Sequence, residues 1–347
     1  MPSSSSNHIK AKRVAIVYSV YMPINGRARE AEAERAVAEA AQQAAAAMQQ
    51  GGLARPMLLP IRDSLSSICA NLNRLRPDVL VNLCEGFRGR PEFEAHQAGL
   101  WELLKIPFTG NSASALQLCR DKFQTKLLMR AAGINVPLGW LANDAADVPH
   151  TAGWPLIVKP MSEDGGIGIY RHSVVHTQAD LAVQIKRIVR RYARPALVEQ
   201  YIDGREFNVA IIERRGLEVL PISEIMFGDL SDGMPRLVGY QAKWQPRHEY
   251  YRKTTPQCPA QLSERAAEVL RAAALRAWAA AGLRGYARFD FRMDRRGRIY
   301  LLEINPNPDT SLDAGLARAL DAAGIKYSDF WVSQVQMACR RKRGAAC

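Results

Sequence analysis

A chain of 347 residues with 48% hydrophobic content holds two or three subdomains with cores of their own, and its formal charge of +13 comes mostly from dispersed arginines. The one dense basic run, RRKRG at 340–344, comes without aromatic partners, so the charge suits an anionic small molecule better than nucleic acid. Six scattered cysteines without a CxxC pair read as reduced thiols of a cytoplasmic protein, and neither a signal peptide nor a membrane span of about 18 apolar residues is expected.

Residues 1–10 are polar and read as a disordered tail. RVAIVYSV (13–20) is a continuous apolar run of strand length, and the Ala/Glu/Gln segment 28–50 after it is helix-prone and ends at Gly51-Gly52. Strands at 54–60 and 78–84 enclose a helix at 64–75, and a helix at 92–104 leads to a strand at 106–110. That alternation predicts a parallel α/β sheet. One helix is expected over 114–132, then a strand at 154–160, a glycine turn at 163–168 and a returning strand. A helix at 178–192 and a strand at 196–202 follow. EFNVAIIERRGLEVLPISEIM gives two strands around Arg215-Gly216. The Gly/Pro-rich stretch 228–260 is too long for an idle connection and reads as a lid. A helix at 261–281, a hairpin over 285–304 and a helix at about 312–323 complete the pattern.

The hairpin carries the chemistry. In IYLLEIN, Glu303 and Asn305 are two apart and share a strand face, and a turn centred on Arg296-Gly297 sets Asp290 opposite Glu303. Two carboxylates and an amide oxygen form a hard donor set suited to Mg²⁺ bridging phosphates; an arginine–carboxylate network through Arg288 and Arg292 is the other reading. A metal of that kind asks for a phosphate cradle, yet neither GxxxxGK[ST] nor a GxGxxG turn after the first strand is present. KPMSEDGGIG offers one instead: Lys159 at a strand end, then Gly165, Gly166 and Gly168, whose loop brings backbone N–H groups over phosphates. Glu199 and Glu206 flank a hinge between two strands. His172 and His176 are four apart beside a strand and read as surface residues, and no Ser-His-Asp or Cys-His arrangement stands out.

Together these stretches resemble the ATP-grasp superfamily, and more closely the D-alanine–D-alanine ligases. The carrying segments run from IPFTGNSASALQLCRDKFQTK through PLIVKPMSEDGGIGI, LVEQYIDGREFNVAI and YQAKW to GYARFDFRMDRRGRIYLLEINPNPDTS, across roughly residues 80–330. The resemblance implies an α/β fold with an N-terminal parallel pre-ATP-grasp domain (11–113) and two ATP-grasp subdomains (114–200 and 201–335) clamping the nucleotide, before a basic tail (336–347). It gives phosphate contacts to Lys122 and Lys159, the adenine hinge to Glu199, Tyr201 and Ile202, and the ribose to Glu206. Lys243 becomes the lid lysine on the transferred phosphate, Asp290, Glu303 and Asn305 the ligands of two Mg²⁺ ions (or Mn²⁺), and Arg288 the stabiliser of charge on the reacting carboxylate. A homodimer is implied as well.

The departures fall on the amino-acid side. Where the ligases continue past the asparagine with a glycine–methionine and serine-containing loop for the acceptor carboxylate, this chain reads PNPDTSLDAG, with Asp309 near the glycine position, Ser311 beyond it and a further acid at Asp313. Trp244 replaces the lid tyrosine, Glu85 stands where a histidine-glycine pair is usual, and Glu30 or Glu32 substitutes for the substrate-binding glutamate after the first strand. The reading is therefore an ATP-dependent carboxylate–amine ligase that forms an amide through an acyl phosphate on amino-acid or small-peptide substrates, with an altered acceptor pocket. The alternatives are an authentic D-alanine–D-alanine ligase of cell-wall synthesis and, from another class, a non-catalytic nucleotide-binding or basic nucleic-acid-binding protein.

Overall fold

The computed structural model describes residues 13–20, 28–163 and 165–344. β1 (Val14–Ser19) is apolar along its length because both faces of its sheet are covered: α1 (Ala28–Gln50) lies on one side, and α2 (Leu65–Leu75) and α3 (Glu94–Leu103) on the other. β2 (Met57–Ile61) and β3 (Val79–Leu83) flank β1 in parallel, as the alternation predicts. The strand expected at 106–110 is a single bridge, with Leu80 N–H donating to Pro107 O (2.8 Å) and Thr109 N–H to Leu80 O (2.9 Å). Pro107 has no N–H to extend it and Gly110 turns away at φ +79.

The helix expected over 114–132 is two, α4 (Ala113–Arg120) and α5 (Lys122–Ala131), broken at extended Asp121. The Asp121 carboxylate accepts from the N–H groups of Phe123 and Gln124 and so starts α5 afresh. The restart puts Lys122 and Lys126 one turn apart on one face.

β4 (Gly139–Ala142), which the sequence reading did not anticipate, joins β5 (Leu156–Pro160), β6 (Val174–Val175) and β7 (Ala196–Gln200) in an antiparallel sheet ordered β4-β7-β5-β6. α6 (Gln178–Tyr192) covers it with Leu181, Ile185 and Ile188. The expected returning strand after the glycines shrinks to a 3-10 turn and the two residues of β6, because Gly165, Gly166 and Gly168 all hold positive φ, a conformation no strand continues.

β8 (Gly204–Glu213), β9 (Leu217–Val219) and β10 (Ser223–Phe227) are three strands where two were expected, with Pro221 between the last two. The long connection carries α7 (Tyr240–Trp244), α8 (Glu249–Lys253) and edge strand β11 (Thr254–Gln257). α9 (Glu264–Ala280), β12 (Tyr286–Asp294), β13 (Ile299–Asn305) and α10 (Gly315–Ala322) match the remaining expectations, with α10 shorter. α11 (Tyr327–Gly344) was not expected; it buries Phe330, Trp331, Val335 and Ala338 in the core shared with α1, β1 and β3, so residues 336–344 continue a packed helix. Residues 1–12, 21–27, 164 and 345–347 lie outside the described residues, among them the expected tail 1–10, and so do the side chains of Glu30 and Glu32.

The sheet β11-β10-β8-β12-β13 sets the site. Phe207, Val209 and Ile211 of β8 and Ala287, Phe289 and Phe291 of β12 fill the core with α9. The opposite face changes character along its length: Ala210, Ile212 and Tyr286 pack in the second core, whereas Glu206, Asn208, Arg288, Asp290 and Arg292 occupy the other end. β13 joins this polar end through a β-bulge. Asp290 pairs with Glu303 but Phe291 pairs with Leu301, leaving Leu302 as the extra residue. Leu301 and Ile304 consequently both face the core, and Glu303 and Asn305 face the polar side with Asp290.

Candidate active site

Asp290 is the hub of the polar face. Arg288 donates to it bidentately, Nε to Oδ1 (2.7 Å) and Nη2 to Oδ2 (2.8 Å), and Asn208 Nδ2 donates to Oδ1 (2.7 Å). Asn305 Nδ2 donates to Asp290 Oδ2 (3.0 Å) and to Glu303 Oε1 (3.4 Å), so one amide group spans the two acids. Burial works against the Arg288 charge, but Asp290 more than restores it, with Glu303 and Asp309 adding to the effect. Burial likewise raises Glu303, yet Lys122, Lys243, Lys159 and Arg288 together hold it well below the usual carboxylate range. Glu303 is thus an anion at the meeting point of four cations.

No group of three His, Cys, Asp or Glu side chains assembles among the described residues; the donor set on this face is two carboxylates and an amide. Paired across the hairpin, those oxygens fit a hard divalent cation, and the Asn305 amide already takes up the space between them.

A second cluster centres on Glu199. Glu199 on β7 is fully enclosed, with Lys126 Nζ 2.8 Å from Oε1 and Lys159 Nζ 2.6 Å from Oε2. Burial raises the Glu199 pKa, the two ammonium groups outweigh it, and the acid ends below its ordinary value. Burial also pulls Lys126 down to about 8, and its Nζ donates to Leu302 O at the bulge (2.5 Å). Lys122 Nζ donates to Glu163 O (2.7 Å) beside the glycine turn and stands 3.5 Å from Glu303. Lys122 therefore links the start of the glycine turn to Glu303.

Glu206 is held by Arg292, whose Nε and Nη2 reach the same oxygen at 2.9 and 2.6 Å. Arg292 also donates to Ile202 O (3.0 Å) and Arg236 O (2.6 Å), and Tyr201 donates its hydroxyl to Arg236 O (2.7 Å). Residues 201–206 and the first part of the connection 228–260 thus share one guanidinium.

The connection 228–260 lies on the glycine turn. Trp244 Nε1 donates to Gly165 O (3.1 Å) and Tyr240 N–H to Ile169 O (3.0 Å). A Cβ on Gly166 would fall 2.7 Å from the Gly239 carbonyl carbon, so only glycine permits this approach. Lys243, one residue before Trp244, lies within reach of the Glu303 charge.

The segment after Asn305 is pinned at nearly every residue. Asn111 Nδ2 donates to Pro306 O (2.6 Å), and Asn307 Nδ2 donates to Cys84 O (3.1 Å) and Glu94 Oε1 (2.9 Å). Ser311 gives Asp309 Oδ1 both its backbone N–H (2.9 Å) and its hydroxyl, and Tyr327 donates to Thr310 O (2.7 Å). Glu85, next to Cys84, has an exposed side chain, and its backbone N–H donates to Ser19 Oγ (3.1 Å). Asp313 is exposed at the far end of the segment.

The structure brings together Lys122, Lys159, Lys243, Arg288, Asp290, Glu303 and Asn305, with Glu199 behind Lys159 and Glu206 at the hinge. His172 and His176 are exposed. The arginine–carboxylate network expected at Asp290 forms in part: Arg288 binds it, while Arg292 binds Glu206 instead. Lys126, Asn208 and Asn307 were missed. Lys126 had a signal in its spacing of four from Lys122, and Asn208 in its spacing of two from Glu206; Asn307 had none.

Comparison with known proteins gives the relationship. The D-ala D-ala ligase C-terminus family model matches residues 138–336. A D-alanine–D-alanine ligase of Nitrosospira multiformis is 35% identical over 236 residues, covering 67% of this chain and 71% of its own length. The protein y4sG of Sinorhizobium fredii is 34% identical over 266 residues, 77% of this chain and 76% of its own. The crystal structure of a D-alanine–D-alanine ligase from Bacillus anthracis complexed with ATP superposes with a TM-score of 0.72 over 96% of this chain and all of its own, at 19% identity. Family model, relatives and fold agree, and the chain belongs to the D-alanine–D-alanine ligase family of ATP-grasp, ADP-forming ligases.

Proposed function

We propose that this protein is an ATP-dependent carboxylate–amine ligase that couples an amino acid or small peptide to an acceptor other than D-alanine. The observation that carries the reading is the convergence of Lys122, Lys159, Lys243 and Arg288 on Glu303, on the sheet face where Asp290 and Asn305 also lie. Such a concentration of cations around one acid suits a triphosphate whose γ-phosphoryl group moves to a carboxylate.

In this reading Lys122, Lys159 and the N–H groups of Gly165, Gly166 and Gly168 hold the phosphates. Glu199, Tyr201 and Ile202 border the adenine and Glu206 takes the ribose. Asp290, Glu303 and Asn305 hold two Mg²⁺ ions, or Mn²⁺, which when bound neutralise phosphate charge. Lys243 meets the transferred phosphoryl group and Arg288 supports the oxyanion of the acyl centre. Glu85, Trp244, Asp309 and Ser311 border the amino-acid substrates. The protein works in the cytoplasm, as a homodimer.

The test is ADP release from Mg·ATP against D- and L-amino acids, singly and in pairs, with mass detection of products. A product one water lighter than the sum of two substrates identifies the ligation. D-Ala-D-Ala formed efficiently from D-alanine alone would remove the altered acceptor and leave a cell-wall enzyme. Wild-type turnover that survives within a few-fold in Glu303→Gln would overturn the metal assignment.

A further inference from the structure

The acid in the segment after Asn305 has so far been given a place beside the substrates but no task. Arg288 pairs with Asn305 across the hairpin, so the segment leaves the sheet beside the guanidinium. Four residues on, the Asp309 carboxylate adds to the field on Arg288 and on Tyr327, where burial and Asp309 act in the same direction. Asp309 is fixed rather than dangling, because Pro306, Asn307, Thr310 and Ser311 on either side are all tied down.

This arrangement uses up what a carboxylate ligand would need. The Ser311 N–H and O–H both go to Asp309 Oδ1, and the fork of Arg288 goes to Asp290. Every donor named here already faces an internal carboxylate, and the side chain left exposed among them is itself an anion. A second carboxylate brought beside Asp309 meets like charge where the Ser311 donors and the Arg288 Nε–Nη2 fork are already engaged. An ammonium group meets the reverse.

Building on the ligase reading, we infer that Asp309 selects the acceptor: the attacking amine carries no carboxylate on its neighbouring carbon, and is an amine cation or an amino-acid amide rather than a free α-amino acid. The step balances without another reactant. The donor carboxylate takes the γ-phosphoryl group as the bond to the bridging oxygen breaks and ADP leaves. The acceptor nitrogen, having shed one proton, forms the C–N bond; the C–O bond to phosphate breaks with its electron pair. Of the two protons the ammonium loses in all, one stays on the phosphate and the other reaches solvent.

The test separates this inference from the reading beneath it. Hydroxylamine, a small amine without a carboxylate, traps acyl phosphates, so ADP release from Mg·ATP and hydroxylamine over a panel of amino acids identifies the donor. With that donor, matched acceptors are compared: D- and L-alanine against their amides, lysine against 1,5-diaminopentane. The carboxylate-free partner of each pair is expected to be favoured by about 100-fold or more in kcat/KM. Asp309→Asn keeps an oxygen for Ser311 and removes only the charge, and is expected to narrow that preference at least tenfold, with its thermal unfolding checked alongside. Equal or better use of the free amino acids by the wild type overturns the inference and leaves the ligase standing. No ADP release with any donor and hydroxylamine overturns both.

Discussion

Lys159 Nζ lies 2.6 Å from Glu199 Oε2 with both side chains buried, so the lysine proposed for the phosphates is held by the acid proposed for the adenine end. Lys126 stands on the other oxygen at 2.8 Å and keeps Glu199 compensated when Lys159 turns to a phosphate. Glu199→Gln leaves two buried ammonium groups without their counter-charge, and a loss of about 3–5 kcal/mol is expected in urea unfolding. Lys159→Met should cost less, because Lys126 remains, yet abolish ATP turnover. Equal losses in the two variants would show that Lys126 does not sustain the acid alone.

Acid sensitivity follows from Glu303. Burial raises its pKa, but the surrounding lysines and Arg288 bring it well below the ordinary value of 4.5. With the folded pKa depressed, the unfolded chain binds the proton first on acidification. The stabilisation is therefore complete above about pH 4.5 and drains away as the pH falls below it. Glu303→Gln is expected to melt below the wild type near neutral pH, with the gap in Tm closing toward about pH 3. A gap that widens in acid would contradict the assigned direction.

The lid contact is testable at two residues. Trp244→Phe removes the donor to Gly165 O and, at about 1 kcal/mol for such a bond, should weaken ATP binding about fivefold in calorimetry. Gly166→Ala adds a Cβ 2.7 Å from the Gly239 carbonyl carbon at φ +75, and should push the lid off the turn. Limited proteolysis within 228–260 is the readout, and it should quicken in Gly166→Ala far more than in Trp244→Phe.

Arg292 ties Glu206, Ile202 and Arg236 together while fully enclosed. Arg292→Lys keeps the charge but loses the fork, so Glu206 is left with a point contact. A loss of about 2–4 kcal/mol is expected in denaturant unfolding, with a raised KM for ATP because Glu206 is no longer aimed. Unchanged stability would mean that another cation reaches Glu206.

Much of this was legible before any coordinates. The alternation in GYARFDFRMD and the glycine turn at Gly297 set Asp290 opposite Glu303 in sequence, and the two residues pair in the structure. The parallel order of the first sheet follows from its helix-separated apolar runs. Partnerships between distant segments were not legible. Nothing local in Lys126 says that it lies against Glu199 of another strand, and nothing in Arg292 distinguishes Glu206 from Asp290 as its partner. GWLA at 139–142 is too short and too weakly patterned to announce a strand; its pairing with β7 decides it. In α11 the charges that read as a tail sit on a helix whose apolar residues are matched by α1, nearly three hundred residues upstream.

The extra residue at Leu302 fixes something that no side chain could. With the turn held, the loss of one residue between Ile299 and Leu302 closes the bulge and leaves Glu303 opposite Asp290, whereas the loss of two sets Glu303 opposite Phe291 and exchanges the two sets of side chains. Glu303 and Asn305 would then be addressed to the layer of Phe289 and Leu270, and Ile304 to the polar face of Asp290. Substitution is free to tune the strength of this centre one group at a time. Changes of length there are limited to the one residue that the bulge takes up, so deletion of Leu302 is expected to leave catalysis measurable where a two-codon deletion within 299–302 removes it.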